Sequence, residues 1–235
     1  MEQSNRVGAA SPRFKVNGIT GKELNGLQTQ SLSKTRFTEF LIRENDLAKG
    51  GFEQWVFQPG MLFNSPDKWW GDRGKRDTPH AGLDLCLYRV PSGRIQCIDE
   101  KTRIPVMYDG VVVAIVNDFL GQSVIVEHEL SDSDNPGFCS IYGHTDPPAD
   151  LQIGKSVKKG DILATIADSS RSKSGIRPHL HISLGWTTKS VSYERFNWET
   201  IGTGDMLTLL NPLDVLDRPY LVLENINLDA GSDNL

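Results

Sequence analysis

Residues 177–186, with the sequence RPHLHISLGW, set the organisation of the chain. In a β-strand, side chains two positions apart point to the same face, so His179 and His181 would project together while the apolar residues between and after them supply packing contacts. Histidine is the commonest metal ligand and the side chain that titrates nearest neutral pH. The pair therefore suits metal binding or proton transfer, although a single H-x-H pattern is too short to establish either role.

A second segment, residues 80–88, alternates apolar and other side chains with the period of a half-buried strand. His80, Gly82 and Asp84 share one parity in this segment. A histidine and an aspartate on one face, with a glycine between them leaving room, provide a nitrogen and an oxygen ligand that suit a metal such as zinc. The segment therefore offers two candidate metal ligands.

The two remaining histidines have different surroundings. His144 ends a third apolar segment, residues 138–145, and follows Gly143, which would let another group approach closely. His128 lies between Glu127 and Glu129 at the end of a predicted strand. We interpret His128 as part of a surface ion pair and leave it out of the site.

Three motifs in this order carry a resemblance: H-x-x-x-D at residues 80–84, Y-G-H at 142–144 and H-L-H at 179–181. Together they resemble the lysostaphin-like (LytM-type) zinc endopeptidases, which cut peptide cross-links in bacterial peptidoglycan. The resemblance extends over roughly residues 60–216 and includes the connecting segments at 104–112, 124–128 and 154–163. Each motif alone is weak, but three ordered motifs form a specific signal.

The resemblance implies one Zn²⁺ per chain, with His80, Asp84 and His181 as ligands and with His144 and His179 as the two non-ligand histidines of the active site. A catalytic zinc usually takes three protein ligands and leaves a fourth position for water. Zinc lowers the pKa of that water, but a base must still take its proton and a donor must stabilise the oxyanion. The two other histidines suit these tasks, and the sequence does not assign them individually.

Candidate substrate contacts precede and follow this site. Trp69 and Trp70 could form a wall on which glycan or stem peptide stacks, with Arg73 holding a peptide carboxylate. Alternatively, one or both tryptophans cover the edge of the sheet, since Trp is usually mostly buried. Tyr142 lies on the opposite strand face from Gly143, and its phenol either fills the core or reaches the oxyanion.

Composition sets limits on the class of protein. With 235 residues, of which 38% are hydrophobic, the chain can hold one substantial domain. The net charge of -5 provides no basic face for nucleic acid, and no run of about 18 apolar residues predicts a membrane span. Residues 1–30 contain no apolar core typical of a secretory signal, so the export route stays open. The resemblance implies a periplasmic or extracellular site of action.

The predicted fold is mainly β, an antiparallel β-sheet domain of the lysostaphin-like peptidase type with a zinc-containing groove and a short N-terminal helical or irregular extension. Polar residues 1–32 predict an extended or disordered arm, followed by a short helix over 35–44 that Ser33 could cap and Gly50-Gly51 would end. The predicted divisions are an extension at 1–50, a zinc endopeptidase domain at 51–217 and an acidic, polar tail at 218–235. Strands are predicted near residues 53–57, 82–88, 95–99, 104–107, 110–117, 122–129, 137–143, 162–167 and 179–186.

Three cysteines, Cys86, Cys97 and Cys139, form an odd set without C-x-x-C spacing. They therefore compose neither a zinc cage nor a full disulfide framework, and we interpret them as small buried hydrophobic residues. A bridge between Cys86 and Cys97 stays open if the protein reaches an oxidising compartment.

The sequence thus predicts a zinc metallo-endopeptidase that acts on peptidoglycan stem peptides. Two alternatives are a non-catalytic, cell-wall-binding relative that activates amidases and a zinc peptidase with another peptide substrate. Residues 1–50 could cover the groove, serve as an address for a secretion partner, or be a remnant of an upstream leader.

Overall fold

The computed structural model describes residues 32–130, 137–170, 172, 175–188, 192–203, 206–224 and 226. These residues belong to one compact unit. The arm predicted for residues 1–32 lies, except for its last residue, outside the described residues. None of the helices in the described ranges is long and apolar enough to cross a bilayer.

The described residues form two α-helices and thirteen strands. The helices are α1 (Phe37–Glu44) and α2 (Trp198–Gly202). The strands are β1 (Gln54–Phe57), β2 (Leu83–Leu85), β3 (Leu87–Arg89), β4 (Ile95–Cys97), β5 (Arg103–Pro105), β6 (Gly110–Asn117), β7 (Gln122–His128), β8 (Phe138–Asp146), β9 (Ser156–Val157), β10 (Ile162–Ile166), β11 (Leu180–Thr187), β12 (Leu207–Leu210) and β13 (Tyr220–Val222).

Two sheets account for these strands. The larger sheet runs β12-β11-β8-β7-β6-β9, with β10 paired to β8 and β5 and with β2 paired to β11. The smaller sheet runs β13-β1-β3-β4. Within the described ranges every pairing is antiparallel except that of β13 with β1. The prediction of a mainly β, antiparallel fold is therefore confirmed.

The strand predicted at 82–88 is two strands that belong to different sheets. Before Cys86, β2 pairs with β11 in the larger sheet, and after it β3 pairs with β1 and β4 in the smaller one. Cys86 is fully buried at the crossing, and its carbonyl accepts a hydrogen bond from the Ile98 N–H at 2.8 Å. Cys86, Cys97 and Cys139 are all free thiols in this structure.

Helix α1 lies within the predicted extension of residues 1–50 and is part of the compact unit. Phe37 and Leu41 on its inner face are fully buried in the main core. The carboxylate of Asp217 accepts hydrogen bonds from the backbone N–H groups of the second and third helical residues, at 2.9 and 3.3 Å. Asp217 and the Thr35 hydroxyl, which accepts the Phe37 N–H at 3.1 Å, thus take the place predicted for Ser33 at the start of the helix.

Helix α1 ends at Glu44, the last residue of the predicted range, and Gly50-Gly51 does not form its end. The side-chain amide of Asn45 donates to the carbonyls of Leu41 and Arg103, at 2.9 and 2.8 Å. Asn45 therefore closes the last helical turn and ties it to β5.

Three short strands were not predicted as strands: β9, β12 and β13. The last of them lies in the predicted tail, where Tyr220 pairs with Trp55 and Val222 with Phe57 in the parallel register of β13 and β1. The compact unit therefore continues beyond residue 217. A strand of three residues is too short for its period to be read, and its partner in β1 lies far away in the sequence.

His128 is buried rather than on the surface, so its interpretation as a surface ion pair was wrong. Its Nδ1 lies 3.1 Å from the Asp109 carbonyl oxygen and its Nε2 lies 2.7 Å from the Ser140 hydroxyl. A carbonyl only accepts, so Nδ1 donates, and the neutral ring is fully paired. Burial lowers the pKa of His128 to about 4, from about 6.5 for an exposed imidazole.

We expect His128 to make stability depend on pH. Because its pKa is lower in the folded state, the unfolded chain takes up the proton first as the pH falls, so this contribution is complete above pH 6.5 and is lost towards pH 4. The whole effect amounts to about 3 kcal/mol. Urea unfolding at pH 7.5 and 4.5 should show a smaller loss of stability for His128→Gln than for the wild type. An equal loss in both proteins would contradict the prediction.

Candidate metal centre

Strand pairing brings together three side chains predicted as metal ligands. His181 on β11 lies opposite Asp84 on β2, and its Nδ1 is 2.8 Å from the Asp84 Oδ1. His80, immediately upstream of β2, places its Nε2 3.1 Å from each of these two atoms. The three residues are buried, and one ligand atom from each lies within 4.8 Å of the others.

Gly82 leaves the space that this arrangement needs. A Cβ at this position would lie 2.2 Å from the Ile182 carbonyl oxygen and 2.6 Å from the His181 Nε2. Any larger residue would therefore push β2 away from β11. The H-x-x-x-D motif contains a glycine at position 82 because β11 passes directly against the backbone there.

The outer nitrogens of the two candidate ligand histidines have partners. The His80 Nδ1 lies 3.0 Å from the Leu62 carbonyl oxygen, and the His181 Nε2 lies 2.9 Å from the Ser183 hydroxyl. Since a carbonyl only accepts, the His80 Nδ1 carries the proton and its Nε2 keeps a lone pair in the neutral ring. Burial lowers the pKa of His181 to about 3, which also favours the neutral ring that binds metal.

The outer oxygen of Asp84 is held from the opposite side. Its Oδ2 accepts a hydrogen bond from the Trp69 indole at 2.7 Å and lies 3.7 Å from the Arg76 guanidinium. Burial would by itself raise the pKa of Asp84, but His80, His179 and His181 outweigh it and hold the pKa well below its usual range. Asp84 is therefore an ionised carboxylate with one oxygen left for a cation.

Trp69 is a buried residue, as in the alternative in which a tryptophan covers the edge of the sheet. Its exposed fraction is 7%, and its N–H is taken by Asp84, so it is not a wall for substrate. Trp70 is half-buried, and the guanidinium of Arg76 lies over its ring at 4.4 Å. Arg73 is exposed with a φ of 53°. Trp70 and Arg73 thus remain candidates for substrate contact.

His144 and His179 lie together beside the three candidate ligands. Their ring centroids are 4.8 Å apart, and the His179 Nε2 is 3.8 Å from the Asp84 Oδ1. The His179 Nδ1 donates to the Arg177 carbonyl at 2.8 Å, and burial lowers the pKa of this ring to about 4. The His144 Nδ1 lies 3.1 Å from the Asp118 carboxylate. The His179 ring therefore faces a neutral carbonyl, whereas the His144 ring faces a charged carboxylate.

A β-bulge turns His144 into the site. Gln122 of β7 pairs with Thr145 and Val124 with Tyr142, so two residues of β8 face the single residue Ser123. The second of them, His144, has a φ of +62°, in the left-handed region that non-glycine residues rarely adopt. Bulges of this kind change the direction of a side chain, often beside active sites.

Tyr142 lies in the core, so its assignment as a substrate contact is corrected. The residue is fully buried, and its hydroxyl accepts a hydrogen bond from the Met107 N–H at 2.8 Å. The neighbouring Gly143 faces the other way, and a Cβ there would lie 3.2 Å from the His181 Cβ. Strand alternation before the bulge therefore decides against Tyr142 reaching an oxyanion.

Two aromatic residues that the sequence interpretation missed flank His144. Phe119 is 63% exposed, and its ring centroid lies 4.7 Å from that of His144. The Trp198 ring lies 4.8 Å from His181 and stacks against His144 at 6.2 Å. Phe119 lies in a turn and Trp198 at the start of a short helix, where no motif pointed to a role. Exposed aromatic surface next to the histidines is suited to contact with a substrate.

The three residues form a donor set that suits a metal ion. The lone pairs of His80 and Asp84 converge on the same point as the His181 Nδ1, an arrangement that is unfavourable unless a cation or proton lies between them. Two imidazole nitrogens and one carboxylate oxygen form a donor set found in catalytic zinc sites, where a fourth position stays open. The residues therefore fit the metal that the motifs imply.

These features describe a mainly β domain with a buried His-Asp-His donor set that could hold a metal ion. Residues 93–193 match the model of peptidase family M23, which confirms the resemblance to the lysostaphin-like (LytM-type) family. The matched range includes His144, His179 and His181 and begins after His80 and Asp84. No curated protein matches the chain.

Solved structures of the same kind are similar to this chain. They include a putative glycyl-glycine endopeptidase lytM from Ruminococcus gnavus, with 22% identity over 61% of this chain and 50% of that one, at a TM-score of 0.38. Lysostaphin from Staphylococcus simulans has 16% identity over 70% of this chain and 53% of its own, also at 0.38. The catalytic domain of the prophage-encoded M23 protein EnpA from Enterococcus faecalis has 24% identity over 60% and 98%, at 0.34. The match thus spans about half the length of the first two proteins.

The indole N–H of Trp69 gives a prediction about metal affinity. In Trp69→Phe the Asp84 Oδ2 loses its 2.7 Å donor while most of the ring's packing is kept. Losing an outer partner of a metal ligand typically weakens metal binding about 10- to 100-fold. Titration with a competing zinc chelator measures this change, and Trp70→Phe is the matched control. Equal zinc affinity in Trp69→Phe and wild type would show that the hydrogen bond has no effect on the ligand.

Proposed function

We propose that this protein is a zinc-dependent metallo-endopeptidase that hydrolyses peptide cross-links of bacterial peptidoglycan. The observation that carries the proposal is the convergence of the His80 Nε2, the Asp84 Oδ1 and the His181 Nδ1, with two further histidines beside them. The match to peptidase family M23 supports the type of reaction. The substrate class rests on the family resemblance.

Each side chain has a role in this proposal. His80, Asp84 and His181 hold the zinc. When bound, zinc supplies a Lewis acid that polarises the scissile carbonyl and lowers the pKa of water. His144 is the better general base of the two remaining histidines, because the Asp118 carboxylate behind it stabilises the positive charge that proton uptake creates. His179, with a carbonyl behind it and a lowered pKa, stays neutral and orients the reacting groups from the other side.

Substrate contacts come from aromatic and cationic groups around these histidines. Phe119 and Trp198 flank His144, so a peptide that reaches this ring also meets their faces. Trp70 and Arg73 lie on the loop before His80, where an aromatic ring and a guanidinium suit a glycan or a stem-peptide carboxylate. The site of action would be periplasmic or extracellular, where the cross-links are found.

The rival functions make different predictions. A non-catalytic relative would not need a complete set of ligands, whereas His80, Asp84 and His181 are all present and in contact. A peptidase for another peptide would use the same centre, so only the products distinguish it. The proposal therefore depends on the bond that is cut.

Incubation of the full, zinc-loaded chain with purified cross-linked muropeptides tests the proposal, with mass spectrometry of the products. We expect new peptide ends that disappear on chelation and return with zinc. Intact muropeptides after incubation with stoichiometrically loaded protein would overturn it. If a glycine-rich or protein substrate is cut instead, the reaction type holds but the substrate class is wrong.

A further inference from the structure

Asp118 holds His144 at two points. It lies in the turn between β6 and β7, directly after Asn117. Its Oδ1 is 3.1 Å from the His144 Nδ1, and its Oδ2 accepts the backbone N–H of the same residue at 2.8 Å. A carboxylate that binds both the ring and the backbone of one histidine fixes its side-chain rotation as well as its position.

The carboxylate of Asp118 is completely enclosed and fully used. Its side chain has an exposed fraction of 0%. Beside the two bonds to His144 it accepts the N–H groups of Leu120 and Gly121, at 2.9 and 2.8 Å, and the Ser123 hydroxyl at 2.6 Å. Burial would raise the pKa of Asp118, but the bonds to His144 outweigh it and hold the pKa well below its usual range. The group is therefore a buried, ionised carboxylate.

The backbone of His144 needs such a partner. Its φ of +62° costs free energy of the order of 1 kcal/mol or more for a residue with a side chain. The bulge opposite Ser123 interrupts the regular pairing of β8 with β7 at this residue. The Oδ2 of Asp118 accepts this N–H instead and so stabilises the conformation that turns the ring towards His179 and His181.

From this geometry we propose that Asp118 is a positioning residue for His144. Asp118 keeps the proton on the Nδ1 of His144 and leaves the Nε2 of His144 to face the substrate. The proposal rests on the proposed function. Because a carboxylate only accepts, Asp118 selects the tautomer with a proton on Nδ1. When Nε2 takes up a proton from the attacking water, the carboxylate stabilises the imidazolium, and no bond to Asp118 has to form or break. The arrangement has the logic of a histidine oriented by a buried aspartate.

The hydrogen bonds of Asp118 continue through Ser123 to Trp198. The Trp198 indole donates to the Ser123 hydroxyl at 3.0 Å, and this hydroxyl donates to the Asp118 Oδ2. A hydrogen-bonded chain thus links an aromatic group beside His144 and His181 to the carboxylate behind His144.

A purely structural role is the alternative for Asp118. The bonds to Leu120 and Gly121 are those of an ordinary Asx turn, which would stabilise the β6-β7 connection whatever follows it. Such a role predicts a loss of stability when the residue is changed but no effect on the tautomer of His144. The two roles are therefore distinguishable by measurements on the ring itself.

The experiment compares zinc-loaded wild type, Asp118→Asn and Asp109→Asn. Asp109 is a matched control, since its carboxylate also accepts a backbone N–H in a turn, that of Lys159 at 2.8 Å, but lies away from the site. In Asp118→Asn we expect kcat on muropeptides to fall about a hundredfold or more with KM little changed and zinc content intact. Asp109→Asn should keep the wild-type kcat.

Nitrogen-15 spectra of the five histidines, in zinc-loaded protein, provide a readout independent of activity. We expect His144 to carry its proton on Nδ1 in wild type and to lose this fixed tautomer in Asp118→Asn. A fixed tautomer in wild type without muropeptide cleavage would refute the proposed function but support the positioning. An unchanged His144 signal, or an unchanged kcat, in folded Asp118→Asn would overturn the positioning role.

Ser123→Ala keeps the inference testable if Asp118→Asn does not fold. This change removes one bond to the Oδ2 of Asp118 and the acceptor of the Trp198 indole, but it keeps the bonds of Asp118 to the Leu120 and Gly121 N–H groups. We expect kcat to fall about tenfold, with a weaker preference of His144 for the Nδ1 proton. A wild-type spectrum with the proton on the Nε2 of His144 would refute the proposal without any variant.

Discussion

Replacement of His181 by alanine is expected to remove both the zinc and the activity. The His181 Nδ1 lies 2.8 Å from the Asp84 Oδ1 and 3.1 Å from the His80 Nε2, so its loss leaves two ligands, fewer than zinc sites normally use. Because even an outer partner of a ligand is worth about 10- to 100-fold in affinity, zinc binding should weaken more than about a hundredfold. Elemental analysis after gel filtration measures the metal.

His179→Ala is the matched control, two residues away on the same segment. Its ring contacts His144 and approaches Asp84 only to 3.8 Å, with its Nδ1 held by the Arg177 carbonyl. We expect this variant to keep stoichiometric zinc but to lose about a hundredfold or more in turnover. If His181→Ala retains zinc, the assignment of His181 as a ligand is wrong. If His179→Ala loses zinc, His179 belongs among the ligands.

The second large effect is expected from removal of α1. A truncation that lacks residues 1–50 loses Phe37 and Leu41, both fully buried, and each such side chain contributes about 2–5 kcal/mol. It also leaves the Asp217 carboxylate without the helical N–H groups that it accepts. Since small domains are stable by only about 5–15 kcal/mol, we expect this truncation to be unfolded by circular dichroism.

A truncation of residues 1–31 is the control, because it ends before the contacts of α1. We expect it to fold and to bind zinc. Its rate of muropeptide cleavage tests whether the arm covers the groove: a several-fold rise supports the cover, since a tethered segment has an effective concentration of about a millimolar. An unchanged rate would leave export or docking as the role of the arm. A folded, zinc-binding protein without residues 1–50 would show that α1 is dispensable.

Local periodicity predicted the strands well and their distant partners poorly. The strand predicted at 110–117 is β6 with the same bounds, because its alternating side chains record which face is buried. The cap of α1 was missed because Asp217 lies 179 positions from Thr38, whose N–H it accepts. The pairing of β13 with β1 is similarly distant. Such contacts depend on how the chain closes on itself.

In the candidate site, too, the local motifs were predicted and the distant partners were not. His80, Asp84 and His181 occur in motifs with a recognisable spacing, so their approach was expected from the sequence. The groups that fix them were not, since Trp69 was interpreted as either a wall or a cover and Asp118 lies in a segment typical of an ordinary turn. Neither residue type indicates a partner until the fold places one. The bulge that reorients His144 also leaves no trace in the alternation of β8.

The hydrogen-bonded contact of His181 with Asp84 joins residues 97 positions apart, and that with His80 joins residues 101 apart. A metal held by all three residues would cross-link the chain and close a loop of about a hundred residues. A covalent bridge that closes a loop of this length stabilises the folded state by about 4–5 kcal/mol, because it lowers the conformational entropy of the unfolded chain. The ligand from β11 is made long after those beside β2 during synthesis. A metal held by these three residues would therefore complete its coordination only after β11 has been synthesised and has paired with β2.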